Sequence, residues 1–252
     1  MVDEVLARPL SAVRLRWRAR FGFFLRAEAP VVGLGYPLPP RTAVLGLLAN
    51  VLGLPKDALA EKLGGTRIAI SGPCPPTHWH GCNLRKIKQM RFLPPTFTAK
   101  KPVEIFAAEE SNTQSRQEWL CNPDFEVIAA LPDGLHDKLA ARVRDGRTHF
   151  TPCMGLSEML ASIEHLSDET LTPLPEGAHR VRSVVLLEGS TRLAVDAVLE
   201  EKLRVLSISL PRTVTEDRRF THASYFVAPE GGVLPVYTSA AWQSSTGAVM
   251  FL

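Results

Sequence analysis

The sequence predicts an α+β protein, in which a ferredoxin-like α/β sandwich with an inserted arm is followed by a β-rich C-terminal lobe. The first half has the order strand, helix, strand, long hairpin, strand, helix. Residues 72–116 interrupt this order with proline-bounded, basic sequence, which is typical of an inserted β-hairpin. Beyond the Pro- and Gly-containing residues 172–177, most predicted elements are strands. We therefore expect two domains, 1–171 and 172–252.

The composition is that of an ordinary folded, soluble protein. The chain has 252 residues, of which 45% are hydrophobic and 22% charged, and its net charge of +3 is too small to indicate a nucleic-acid ligand by itself. Four cysteines are too few for a disulfide scaffold and favour a reducing compartment. The longest apolar segment, residues 43–54, falls short of the roughly 20 residues that span a bilayer. We expect a cytoplasmic protein without a membrane partner.

The first predicted strand, residues 13–21, has an unusual polar face. Apolar residues alternate strictly with Arg14, Arg16, Arg18 and Arg20, and no acid interrupts them within the strand. Because successive side chains of a strand point to opposite faces, one face is apolar and the other carries four guanidinium groups. This face is a candidate for binding RNA phosphates, and a solvated, aggregation-resistant surface is the alternative.

A Pro-rich loop and a helix follow this strand. Apolar spacing over 44–52 predicts the helix, with Pro40 suited to its first turn and Gly53 ending it. The unpaired N–H groups of a first helical turn can hold a phosphate, so Arg41 and Thr42 are candidate RNA-binding residues. A proline-stiffened loop with a helix cap is the alternative interpretation.

The remaining elements are assigned from periodicity and turn residues. We predict helices over residues 56–63, 134–143 and 156–165, with Ser157 as a possible cap of the last. We predict strands over residues 67–71, 124–131, 181–187, 192–199, 205–210 and 223–227.

The sequence contains no recognised catalytic or metal-binding motif, so we expect no metal and no cofactor. The spacing of Cys74, His78, His80 and Cys82 differs from that of common zinc sites, and a partly buried or base-stacking histidine pair beside Trp79 is the better interpretation. Nucleophile-elbow, phosphate-loop and dinucleotide motifs are missing. A metal-free ribonuclease needs only a base, an acid and a cation. The residues that would supply these groups are Tyr36, Lys100, Lys101 and His149.

Three segments carry a resemblance to a known family: YPLPPRTAVLGLLANVLGL at 36–54, SRQEWLCNPDFEVIAAL at 115–131 and HFTPCMGLSEMLASIEHL at 149–166. In order and spacing they resemble the Cas-five family, the repeat-associated subunit of type I CRISPR Cascade complexes. The third is closest to type I-B-like members. The resemblance covers about the first two thirds of the chain, and the C-terminal part adds little.

The resemblance implies a modified RNA-recognition fold with a hairpin thumb at 72–116. It implies a subunit that holds the 5-prime handle of the guide RNA (crRNA), caps one end of the complex, and contacts the backbone subunit, the large subunit and, through the complex, target DNA. The motif residues that it implicates in RNA binding are Tyr36, Arg41, Thr42, Thr151, Met154 and Gly155. The arm residues that it implicates, for guide or target backbone, are Lys86, Lys88, Arg91, Lys100 and Lys101.

One branch of this family cuts precursor guide RNA with a Tyr, Lys and His set. The arm of this sequence has no adjacent Lys-His pair, so the resemblance favours a protein that is not an enzyme. Metal-independent processing of precursor crRNA is the alternative.

Overall fold

A nine-stranded β-sheet is the largest element of the protein. The computed structural model describes residues 8–26, 33–87, 110–132, 134–215 and 219–252, without the side chains of 83–87 and 110–113. In spatial order, the strands of the large sheet are β10 (Arg192–Leu193), β13 (Leu234–Thr238), β8 (Gly177–Val181), β15 (Gly247–Met250), β14 (Ala241–Ser244), β7 (Ala161–Pro173), β1 (Leu10–Ala19), β6 (Asp124–Ala130) and β3 (Arg67–Ser71).

Two smaller sheets and four short helices complete the described structure. One small sheet has the order β11 (Leu206–Val214), β12 (Phe220–Val227) and β9 (Val185–Leu186), and the other β2 (Phe21–Gly22), β5 (Glu110–Cys121) and β4 (Thr77–Ile87). The α-helices are α1 (Arg41–Leu52), α2 (Leu59–Leu63), α3 (His136–Arg144) and α4 (Val195–Glu200), and a 3-10 turn, Lys56–Ala58, precedes α2. The protein is therefore a mixed α/β protein with one dominant sheet.

Strand β1 lies inside the large sheet, where it pairs antiparallel with both β6 and β7. Its apolar residues Val13, Leu15 and Trp17 are buried in the main core, together with most of α1. The predicted period-two strand is confirmed. Because β1 is hydrogen-bonded on both edges, polar side chains of two neighbouring strands flank its arginine face.

Helix α1 begins and ends at the residues that the sequence indicated. The N–H groups of Ala43 and Val44 both donate to the carbonyl oxygen of Pro40, over 2.9 and 3.2 Å. Gly53 ends the helix with φ of 74°, a left-handed conformation that glycine adopts without a Cβ clash. The predicted helix is confirmed.

The helix predicted over 156–165 is wrong. The chain turns there, with the Met159 N–H donating to the carbonyl of Leu156 over 3.0 Å, and strand β7 begins at Ala161. Ser157 caps no helix, and its hydroxyl donates to the carboxylate of Glu158 over 3.3 Å. Pairing with β1 from Ala161 to Leu171 decides the conformation of this part of β7, and local helical spacing does not reveal that pairing.

The C-terminal part contains more and shorter strands than predicted. The strand predicted over 192–199 is wrong in most of its length, because two residues of β10 are followed by α4. The strand predicted over 181–187 is interrupted between β8 and β9. Sequence periodicity missed the strands β13, β14 and β15, each of which has only four or five residues.

The boundary predicted near residue 172 falls within β7, and β7 pairs with β14 of the C-terminal part. Strands from both predicted domains thus share one hydrogen-bonded sheet. The division into two domains and the ferredoxin-like topology stay predictions. Within the ranges that the structure describes, no helix is both long and apolar enough to cross a membrane.

A buried carboxylate ties β7 to the turn between β14 and β15. The Glu169 side chain is 2% exposed and accepts hydrogen bonds from the Ser167 hydroxyl over 2.6 Å and from the Ser245 N–H and hydroxyl over 3.0 and 2.7 Å. Burial opposes ionisation of Glu169, but these hydrogen bonds outweigh it, so the pKa of the carboxyl lies below its ordinary value of 4.5.

A lowered pKa means that ionised Glu169 stabilises the fold at pH values above its pKa in the unfolded chain. This contribution is lost as the pH falls through the lower, folded-state pKa. We expect the urea midpoint of the wild type to fall on acidification more steeply than that of Glu169→Gln. Equal pH dependence of the two urea midpoints would contradict this role.

Candidate nucleic-acid interface

An open groove with a volume of about 1240 Å³ runs along one face of α1. The helix contributes small residues to its floor: Thr42, Ala43, Gly46, Ala49 and Asn50. Spacings of three and four place these residues on one face of the helix. A Cβ added at Gly46 would meet no heavy atom within 4 Å, so the floor leaves space for an added group.

The groove brings three predicted site residues together. Tyr36 and Thr42 of the first motif and Gly155 of the third all line it. Two further aromatic residues, Phe150 and Phe220, also line it and are 57% and 43% exposed. The groove thus combines an apolar floor with exposed aromatic rings, which is the kind of surface on which unpaired bases stack.

Tyr36 is buried rather than exposed, as a residue that stacks on a base would be. It is 2% exposed, and its hydroxyl lies 3.3 Å from Nε2 of His222, with which it forms a hydrogen bond. The guanidinium carbon of Arg26 lies 5.5 Å from the centre of its ring. Sequence reasoning missed His222, since 186 residues separate it from Tyr36 and no local pattern connects them.

Arg41 is buried, with 8% exposure, and its guanidinium donates to backbone carbonyls. The acceptors are the oxygens of Gly64 and Thr66, each at 2.8 Å, and of Arg212 at 3.3 Å. Burial lowers the pKa of Arg41, and the nearby charge of Arg212 lowers it further. Arg41 therefore joins α1 to two other segments of the fold, and its contact with RNA stays a prediction.

The third motif forms the loop that closes one side of the groove. The Met154 side chain is buried, and its backbone carbonyl accepts the Phe23 N–H over 3.0 Å. The exposed Thr151 offers its carbonyl to the Asn50 side chain of α1 over 3.2 Å. Gly155 lies against the Phe23 backbone with φ of 95°, so the loop passes closer to the segment that follows β2 than any other residue would allow.

Carboxylates on neighbouring strands partly neutralise the arginine face of β1. Arg14 donates to Glu126 of β6 over 2.9 Å, and Arg16 pairs with Asp124 of the same strand. No acid interrupts the arginines along β1 itself, but the register places acids of β6 beside them, which the sequence of β1 alone does not indicate. Contact of these two arginines with RNA stays a prediction and would require competition with these ion pairs.

Of the four arginines, Arg18 on β1 and Arg20 are exposed; Arg20 was predicted within the strand but lies in the bend after β1, which ends at Ala19. Arg18 donates to the Ser162 hydroxyl over 3.3 Å and lies 3.9 Å from the Glu164 carboxylate. The guanidinium of Arg20 lies over the ring of Phe21, 5.5 Å from its centre. Ion pairs at such exposed sites contribute little to stability, so these two side chains are freer to contact phosphates.

Comparison with known proteins decides the family of the chain. The family model described as CRISPR-associated protein (Cas_Cas5) matches residues 12–221. The chain belongs to this family. The resemblance seen in the three sequence motifs is therefore confirmed, and it extends into the C-terminal part, which those motifs did not cover. No curated protein sequence matches the chain.

Solved CRISPR proteins are similar to this Cas5 family member. A crystal structure of a CRISPR protein from Archaeoglobus fulgidus has a TM-score of 0.52 and 12% identity, and the match covers 95% of this chain and 98% of that one. A chain of a CRISPR RNA-guided surveillance complex has a TM-score of 0.47 and 15% identity, with 89% and 91% covered. The first similarity shows that the fold is shared.

The arm residues fall largely outside the described part of this Cas5 family member. β4 and β5 pair antiparallel from Thr77 opposite Leu120 to Ile87 opposite Glu110. Lys86 belongs to β4, but its side chain lies outside the description. Lys88, Arg91, Lys100 and Lys101 lie outside the described residues altogether. Their predicted contacts with guide or target stay predictions.

The residues considered for zinc do not form a ligand cluster. Among the described residues, no group of three or more His, Cys, Asp or Glu side chains is arranged to hold a metal ion. Burial raises the pKa of the Cys74 thiol to about 11, which keeps it protonated at neutral pH.

Replacement of Gly155 tests the close approach of the third motif. An alanine Cβ there would lie 1.9 Å from the Phe23 carbonyl oxygen. We expect Gly155→Ala to lower the free energy of unfolding by roughly 3 kcal/mol. Gly134→Ala is the matched control, since Gly134 also has positive φ but no heavy atom near the added Cβ, and it should cost about 1 kcal/mol. Equal losses in urea denaturation would contradict the assignment.

Replacement of Arg41 tests its structural role. Arg41→Ala leaves buried carbonyls without a donor and should lower the free energy of unfolding by about 3 kcal/mol. The exposed Arg18→Ala should change it by less than about 0.5 kcal/mol. An Arg41→Ala variant as stable as the wild type in urea denaturation would show that these hydrogen bonds contribute nothing.

Proposed function

We propose that this chain is a non-catalytic subunit of a type I CRISPR Cascade surveillance complex, in which it binds the 5-prime handle of the crRNA. The observation that carries the proposal is the convergence of the first and third family motifs on one groove, in a chain that belongs to the Cas5 family. A single-stranded handle presents unpaired bases, and an apolar groove with exposed aromatic rings suits them.

The polar residues of the groove would position the handle backbone. Thr42 lies in the first turn of α1, where the helix dipole favours negative charge, and Asn50 and Lys56 line the same groove. Arg18 and Arg20 would add phosphate contacts outside it. Such contacts make binding salt-dependent, whereas the stacked bases contribute affinity that salt affects less.

In this proposal the protein acts as a cytoplasmic assembly component. It caps the row of backbone subunits, contacts the large subunit and meets target DNA through the complex. The arm residues Lys86, Lys88, Arg91, Lys100 and Lys101 would contact the guide or target backbone.

Gly46 offers a test that fills the groove without unfolding the protein. Gly46→Leu places a large side chain into open space on the groove floor, and leucine is the better helix former. We expect crRNA retention by the complex, co-expressed with its operon neighbours, to fall at least about 10-fold, the equivalent of one stacked base.

Gly46→Ala is the matched control, because it improves the helix but leaves most of the groove open, and it should retain crRNA as the wild type does. Full retention by Gly46→Leu would contradict handle binding in the groove. Loss of a partner subunit with crRNA still bound would instead identify the groove as a protein-docking surface.

A metal-independent endoribonuclease is the competing proposal, and one observation favours it. His222 hydrogen-bonds the Tyr36 hydroxyl, which pairs a base with a potential acid beside the groove. His149, the histidine expected from sequence, packs its ring against Gly53 at the end of α1 instead.

Incubation of the purified chain with repeat RNA in EDTA separates the two proposals. The non-catalytic role predicts that the RNA stays intact. A discrete product of cleavage inside the repeat would contradict that role and support the endoribonuclease. In that case His222→Ala should abolish cleavage, whereas His149→Ala should leave it unchanged.

A further inference from the structure

Aromatic side chains form a stacked ladder at the base of the β4–β5 hairpin. The Phe21 ring lies 5.5 Å from that of Trp119, tilted by 53°, and the His80 ring stacks on Trp119 at 3.8 Å and 22°. Register explains why the three rings share one face. Phe21 lies opposite Cys121, and Trp119 is two residues from Cys121 on β5, so both point to the same side. His78 lies opposite Trp119, and His80 is two residues from His78 on β4, so His80 also points to that side. Three strands thus contribute to one aromatic surface.

The ladder is held in place by hydrogen bonding. The Trp119 indole N–H donates to Oε1 of Gln117 over 2.9 Å, and the Cys82 thiol lies 3.5 Å from the same oxygen. Because the indole N–H already has an acceptor, the ladder offers ring faces rather than a hydrogen-bond donor to a ligand. Phe21 and Trp119 pack partly against the main core, but Phe21, Trp119 and His80 are all only half-buried, so each keeps part of its side chain within reach of solvent.

A cation completes one end of the ladder. The exposed Arg20 guanidinium lies over the Phe21 ring, 5.5 Å from its centre. Stacked rings beside a guanidinium match a nucleobase beside its phosphate. Among the described residues, an exposed cation beside stacked rings favours nucleic acid over a protein partner.

We propose that Arg20, Phe21, Trp119 and His80 form a second nucleic-acid site, which stacks an unpaired base of a single strand. None of these four residues lines the α1 groove, so the two sites are distinct. The inference rests on the proposed function in one respect, that the chain meets nucleic acid. Unpaired bases of the guide RNA and of target DNA share the required chemistry.

The test compares strands with and without bases. The probes are a labelled oligouridylate, an oligothymidylate of equal length and an abasic ribose-phosphate strand, each titrated into the full chain. Removing one stacked ring should weaken binding of a base-bearing strand about 10-fold, so we expect this loss for His80→Ala and Trp119→Leu. Neither variant should change the weak affinity for the abasic strand.

Trp79→Ala is the matched control. Trp79 is the neighbour of His80 on β4, points to the opposite face and is 46% exposed, so its removal deletes a comparable ring outside the ladder. It should bind all three strands as the wild type does. His80→Ala removes a half-buried ring at the end of the stack and keeps the test valid if Trp119→Leu does not fold.

Equal losses of affinity for base-bearing and abasic strands in His80→Ala and Trp119→Leu would overturn the stacking site. An equal loss of affinity in Trp79→Ala would do the same, and so would a wild-type chain that binds neither base-bearing strand. A preference for oligouridylate would assign the site to guide RNA, and a preference for oligothymidylate to DNA. The proposed handle site fails separately, on crRNA retention by Gly46→Leu. Because that substitution fills the α1 groove, oligouridylate titrated into Gly46→Leu measures the ladder alone, and His80→Ala in that background should still lose about 10-fold.

Discussion

The antiparallel pairing of β1 with both β6 and β7 is the constraint on which the rest of the structure depends. It fixes which side chains of β1 face the core, and Trp17 and Leu15 thereby pack in the same core as α1. A shift of one residue would exchange the apolar and arginine faces, so burial of the apolar face strongly specifies the register. The position of α1, and hence of the groove beside it, follows from this burial.

The groove also depends on a close approach of two backbones. The loop of the third motif passes over Phe23 at a distance that only glycine allows at position 155, and the Met154 carbonyl accepts the Phe23 N–H. On the other side, Asn50 of α1 holds the loop at Thr151. Residues of the family motifs thus build the groove, and several of them are buried. In the proposed handle binding, the buried motif residues would shape the surface, and exposed rings such as Phe150 would contact the RNA.

Local signals in the sequence were sufficient for elements whose ends are marked by proline or glycine. Helix α1 lies between Pro40, which is its N-cap, and Gly53, which is its C-cap, and these two residues indicated its ends in the sequence. The first residues of β7 were wrongly predicted as helix. Their conformation is decided by pairing with β1, which lies more than a hundred residues earlier in the chain. The same reason explains the acids that pair with Arg14 and Arg16, which only the register of β6 brings into contact. The family motifs implicated six residues in RNA binding without indicating the groove. Tyr36, Thr42 and Gly155 line it, whereas Arg41, Thr151 and Met154 do not. The hydrogen-bond partner of Tyr36 could not be predicted, because His222 lies 186 residues away and belongs to no motif that includes Tyr36.

Cross-linking of the assembled complex is the most direct test of the central claim, that the α1 groove holds the handle of the guide. The crRNA would carry a photoreactive uridine in its handle, and the cross-linked peptides of this chain would be identified by mass spectrometry. The account predicts cross-links at the groove, on the segment from Thr42 to Lys56 or at Phe150. An intact complex that contains crRNA but shows no handle cross-link to these segments would contradict it.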